Sequence, residues 1–136
     1  MRYLLDVNAL VALGHAEHEF HGRVARWVSK TVSNGTSELA TCSITELGFV
    51  RVLAQATPYG LSIQDARELL VRIKTSDSPR FTFLADDQDI SRLPAWVKSA
   101  RQTTDGHLAQ LARAKGAVLA TLDRKIPRAF LIPGAK

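Results

Sequence analysis

Arg2-Tyr3-Leu4-Leu5-Asp6-Val7-Asn8-Ala9-Leu10 is the stretch from which the rest of the chain can be read. An apolar run ends abruptly in a carboxylate, and a helical pattern follows at once. Residues 3–5 read as a buried strand and residues 7–13 as a short helix stopping near Gly14. A carboxylate at the tip of a core strand loses hydration unless something pairs with it. In open α/β sheets, ligands bind in the crevice beyond the carboxyl ends of the strands. Asp6 is therefore the first candidate for chemistry, and the question is which residues join it.

Downstream, the periodicity alternates between helix and strand. Residues 18–33 predict a helix with Phe20, Val24, Trp27 and Val28 on one face, stopped by Asn34-Gly35. A short strand at 38–41 is followed by a helix at 43–55. The apolar residues of that helix (Leu47, Phe49, Val50, Val52, Leu53) go most of the way round, as for a buried helix or one in an oligomer interface. Ser62 is a natural N-cap for an amphipathic helix over 62–75. Residues 81–84 predict a strand, 86–89 an acidic loop, and 91–100 a helix that tolerates Pro94 only in its first turn. A helix at 104–115 stops at Gly116, and strands at 117–121 and 130–132 complete the pattern. The expected fold is a three-layer α/β/α sandwich around a mostly parallel sheet of four or five strands, in one domain spanning 1–136.

Composition fits this reading. The chain is 46% hydrophobic and 23% charged, an ordinary globular balance. Its apolar runs are too short to span a bilayer, and the first strand leaves no room for a leader, so a cytoplasmic protein is expected. The one cysteine, Cys42, excludes an internal disulfide or a multi-cysteine zinc site and reads as a small buried hydrophobe. A net charge of +5 favours a polyanionic partner.

Four acids fall at element boundaries rather than on solvated faces: Asp6, Glu46, Asp105 and Asp123. In a parallel sheet, strand C-termini and the helix starts that follow them share one edge, so all four project toward it. Each also has a local explanation. Ser43-Ile44-Thr45-Glu46 matches a capping box. Asp105 follows Thr104, a good N-cap, and suits the helix dipole. Asp123 in Leu122-Asp123-Arg124-Lys125 could be a turn acid. Together they make a set that repels itself unless one member stays protonated or a cation intervenes. Mg²⁺ or Mn²⁺ is the hard cation such oxygens hold, and it would activate water against a phosphodiester.

The segments Leu4–Leu10, Thr45–Leu47, Thr103–Ala109 and Ala120–Asp123 resemble the PIN domain, in particular the VapC-type toxins of prokaryotic toxin–antitoxin pairs. The resemblance runs through nearly the whole chain, in motif order as well as length. It implies an endoribonuclease dependent on Mg²⁺ or Mn²⁺, whose catalytic and metal-holding acids correspond to Asp6, Glu46, Asp105 and Asp123. It also implies a homodimer, an inhibitory antitoxin, a structured RNA substrate such as tRNA or rRNA, and adjacent strands ending near Asp6 and Asp123. Asn8 and Thr104 match polar positions that support the metal site. Two other readings stay open: a PIN-type nuclease acting in RNA processing or on DNA, and a non-catalytic PIN-like binding module.

Arg101, Arg124 and Lys125 lie near the expected site edge and could bind RNA backbone, or serve only solubility. His15, His18 and His21 recur every three residues, but on a helix that spacing drifts around the axis, and surface histidines are the simpler reading. His107 is expected to be exposed in a first turn, within reach of phosphate. Asp86, Asp87 and Asp89 lack the later glycine and terminal glutamate of a calcium loop and read as solvated. The helix at 44–54 is a candidate dimer surface, although core burial explains its apolar residues equally well.

Overall fold

The computed structural model describes residues 1–33, 35–55 and 58–134. β1 (Arg2–Leu5) is its central strand, and the two-residue alternation of a strand splits the side chains between two cores. Leu5 enters one core and Leu4 the other. β2 (Glu38–Thr41) divides in the same way at Leu39 and Ala40, and β4 (Val118–Thr121) at Ala120 and Leu119. With β3 (Phe81–Phe83) and β5 (Phe130–Leu131) they form a five-stranded sheet, ordered β3-β2-β1-β4-β5. Each neighbouring pair is parallel, with Leu4 opposite Ala40 and Leu119. This is the expected α/β/α sandwich.

Helices α1 (Val7–Gly14), α2 (His21–Val32), α3 (Ser43–Gln55) and α4 (Ile63–Thr75) supply residues to the first core; α5 (Thr103–Ala114) covers the second. Trp27 of α2 meets Tyr3 edge-on, with ring centroids 5.1 Å apart. Gly48 lets α1 and α3 approach closely, since a Cβ there would lie 2.5 Å from Val7 Cγ2. The Ser62 hydroxyl caps α4 by accepting from Asp65 N, as expected. No helix is long and apolar enough to cross a membrane among the described residues.

The chain winds outward from β1 through β2 to β3, then crosses back to place β4 on the other side of β1. The sheet reverses direction between β1 and β4, and the crevice of an open α/β fold opens at such a reversal.

Three sequence expectations need correction. The segment 91–100 is not an α-helix: single 3₁₀ turns at Ile90–Arg92 and Ala100–Gln102 flank an extended Leu93. The ring of Pro94 disfavours helical backbone at the residue before it. Lys98 N and Ser99 N both donate to Gln102 Oε1, which starts a new turn instead. α2 begins at His21 rather than His18, because His18 Nδ1 accepts from Phe20 N and holds a turn there. Thr104 is not a cap: α5 starts at Thr103 after an uncapped Gln102, and Thr104 stands exposed in the first turn. The expected stop at Asn34 lies outside the described residues.

Candidate active site

Asp6 ends β1 and caps α1, its Oδ1 accepting from Ala9 N at 2.9 Å. Its other oxygen accepts from the Thr121 hydroxyl at the end of β4, 2.5 Å away. Only 6% of Asp6 is exposed. Thr121 Oγ1 in turn accepts from Asp123 N at 2.9 Å, and Asp123 Oδ1 accepts from Lys125 N. One buried hydroxyl therefore ties the acid after β1 to the acid after β4.

Asp105, in the first turn of α5, faces the same place. It lines a cleft of about 260 Å³ with Asp123, Trp96, Arg101, Gln102 and Lys125. A second cleft, of about 460 Å³, is lined by Asp6, Asn8, His18, Glu19, Phe20 and Asp123. Asp123 borders both. The electrostatics agree with this convergence. Burial, with a further push from the charges of Asp105 and Asp123, raises Asp6 to about 6 against the pull of the Thr121 and Ala9 hydrogen bonds. Asp105 is raised by burial and then by Asp123.

Glu46 reaches the same sheet edge but is held separately. Its Oε2 accepts from the Thr41 hydroxyl at 2.6 Å and pairs with Lys74 Nζ at 2.5 Å. These contacts replace the capping-box role that its spacing from Ser43 allowed. Of the expected cationic rim, Arg101 and Lys125 border the Asp105–Asp123 cleft; Arg124 is exposed beside them in sequence.

His107 departs from expectation. It is not free in the first turn, because Nε2 pairs with Asp86 Oδ2 at 2.5 Å and holds that carboxyl below its usual range. Asp87 is bound to Lys115 at 3.1 Å and Asp89 caps the turn at Ser91, so the acidic loop is tethered rather than merely solvated. His21 Nδ1 meets Ala12 O at 2.7 Å, while His15 and His18 pack on Tyr59.

Thr121, Thr41, Lys74 and Trp96 were not singled out by sequence reasoning. Thr121-x-Asp123 is a recognisable local turn, and the hydroxyl could have been found from it. Lys74 is 28 residues from Glu46 and nothing local pairs them.

Two expected results follow. Thr121→Val keeps the shape but leaves the Asp6 carboxylate with one donor fewer, which should cost about 1–3 kcal/mol by urea melts at pH 7.5. Unchanged stability would mean that this bond contributes nothing. Gly106 of α5 lies against the 93–97 segment, where a Cβ would come within 2.2 Å of Val97 Cγ2. Gly106→Ala should therefore destabilise by about 1–3 kcal/mol through overpacking. Adding Val97→Ala should recover most of that loss, and failure to do so would place the strain elsewhere.

Among the described residues, no group of three or more His, Cys, Asp or Glu side chains is arranged to hold a metal ion by itself. The carboxylates line open clefts. That suits Mg²⁺-like cations, which keep most of their waters and use only one or two carboxylates alongside substrate phosphate. The donors are hard oxygens, two of them with raised proton affinity, so the residues present fit such an ion.

Comparison with known proteins agrees with the geometry. The PIN domain family matches residues 3–130. Ribonuclease VapC38 of Mycobacterium tuberculosis is 44% identical over 124 residues, covering 88% of this chain and 84% of that protein. Ribonuclease VapC44 of the same organism is 35% identical over 140 residues, covering 99% and 94%. Among solved structures, VapC20 of M. tuberculosis, described as a sarcin–ricin loop cleaving toxin, superposes with a TM-score of 0.60 at 15% identity, covering 91% and 92%. VapBC2 of Rickettsia felis, bound to a promoter DNA fragment, gives a TM-score of 0.58 at 16% identity, covering 96% and 97%. The chain belongs to the PIN-domain family and, within it, to the VapC ribonucleases.

Proposed function

We propose that the chain is a single-domain endoribonuclease, the toxin of a toxin–antitoxin pair, which hydrolyses RNA phosphodiester bonds with a divalent metal. The observation that carries this reading is the meeting of Asp6, Asp105 and Asp123 where the sheet reverses, in a chain whose relatives are ribonucleases. PIN-domain VapC ribonucleases generally depend on a divalent metal; Mg²⁺ or Mn²⁺ fits the oxygen donors here.

Asp6, Asp105 and Asp123 would hold the ion, with Glu46, in the first turn of α3, completing the acidic set. When bound, the ion supplies a water of lowered pKa and charge neutralisation at phosphorus. The chain's own residues do the rest. Thr121 and Ala9 N fix the Asp6 carboxylate, so no reorganisation is needed when substrate arrives. Asn8 borders the cleft beside Asp6, where its amide can orient a water, and Thr104 stands beside Asp105 for the same purpose. Arg101, Arg124 and Lys125 would hold the RNA backbone by charge.

The substrate is proposed to be structured RNA. Supporting an antitoxin and a second copy as partners, α3 leaves Leu47 66% exposed, and Ile63 at the start of α4 is 55% exposed beside it. A cytoplasmic location follows from such partners. The test is direct. Purified chain free of antitoxin should cut RNA with Mg²⁺ or Mn²⁺, and EDTA should stop it. Cutting that persists in EDTA, or no cutting with either ion, would overturn the reading.

A further inference from the structure

Beyond the acidic cleft lies a cavity of about 630 Å³ that this mechanism does not use. It is lined by Pro94, Trp96, Gln110, Arg113, Pro127 and Arg128, among others, and no acid is among the lining residues. Arg113 closes α5 and Arg128 precedes β5. Neither is in an ion pair among the described residues, and both are exposed. Trp96 lines this cavity and also the Asp105–Asp123 cleft, so the two spaces meet at that residue.

Two features indicate a binding surface rather than leftover space. Arg128 has φ 62, the left-handed region that a glycine would occupy without strain. Strain of this kind gathers at ligand-binding sites. The 93–97 segment turns at Ala95-Trp96, Val97 N donating to Pro94 O at 3.1 Å, and it is seated against α5 because Gly106 has no side chain. The fold thus brings an aromatic wall and two free guanidinium groups next to a phosphodiester-cutting centre.

We propose that this cavity is a subsite for single-stranded RNA, holding a nucleotide that flanks the scissile phosphate, with Trp96 against a base and Arg113 and Arg128 on the backbone. Aromatic stacking and guanidinium charge are the combination by which proteins hold single strands without reading sequence. An acidic peptide would use the two arginines but has no planar group for the indole. The subsite rests on the nuclease reading for its location, but its occupant can be tested without any metal.

The experiment titrates a short single-stranded oligoribonucleotide into the full chain in EDTA. It follows tryptophan emission together with the anisotropy of labelled RNA. The chain has two tryptophans, and Trp27 is shielded at 7% exposure, so quenching reports on Trp96. RNA should quench the emission. Trp96→Leu should abolish the quench, and Arg113→Glu with Arg128→Glu should weaken binding by about tenfold or more. Both arginines are exposed, so that variant keeps the test valid even if the tryptophan change disturbs folding. Wild-type RNA affinity in the arginine variant would overturn the proposal. So would binding of an acidic peptide, but not RNA, that depends on the same arginines. If RNA binds in this way yet the Mn²⁺-loaded chain cuts nothing, the nuclease reading fails and the subsite stands. If the chain cuts RNA and the arginine variant binds and cuts as wild type, the subsite fails and the nuclease reading stands.

Discussion

Asp6→Asn should lower RNA cleavage by roughly a hundred- to a thousandfold while making the metal-free chain harder to unfold. The first effect follows if the carboxylate holds the ion, since losing that hold removes several kcal/mol of charge stabilisation from the transition state. The second follows from where Asp6 sits. It is buried, and Asp105 and Asp123 repel its charge. Asparagine removes the charge but keeps an oxygen for Ala9 N, and its amide can donate to Thr121 Oγ1. Stability and activity should therefore move in opposite directions. Cleavage kinetics and urea melts in EDTA measure the two. Loss of activity accompanied by loss of stability would point to a structural role for the carboxylate and count against metal holding.

The same burial predicts that the chelated protein loses stability as pH rises. Asp6 keeps its proton to about 6 when folded, against 3.8 as the ordinary value. Between those values the folded chain binds the proton and the unfolded chain does not. The contribution is thus fully present below pH about 4, falls as pH rises through 6, and is gone above it. The difference corresponds to about 3 kcal/mol. Asp105 acts with the same sign. Asp86, whose carboxyl is held low by burial-opposed bonds from His107 and Gln88, acts with the opposite sign and loses its contribution as pH falls. Comparing wild type with Asp6→Asn at each pH separates these terms. The stability gap between them should open between pH 4 and 6 and then level off, and saturating Mg²⁺ should close it. A gap that does not vary with pH would show that Asp6 is ionised throughout the range.

The frame of the fold was legible because its cause is local. The alternation of Leu4 and Leu5 and the helix that follows Asp6 identify the central strand without knowledge of its neighbours. Asp105 and Asp123 were legible for a related reason: a parallel sheet sends every strand end and following helix start to one edge. What could not be read depends on distance through space. Lys74 reaches Glu46 from a different helix, and His107 finds Asp86 across 21 residues. The segment around Pro94 departs from the helix expected at 91–100 because the proline ring disfavours helical backbone at the residue before it. Trp96 was not legible because its place at the cleft depends on how that segment turns.

The position of β1 at the middle of the sheet has a consequence for how the protein is made. Asp6 follows the strand of this sheet that is synthesised first, whereas Asp105, Thr121 and Asp123 come about a hundred residues later. β1 can pair early with β2, but its other edge stays vacant until β4 is translated and slides in beside it. A nascent chain therefore carries only half of its carboxylate cluster. For a protein that cuts RNA, this order of assembly delays the complete site until Asp123 has been translated.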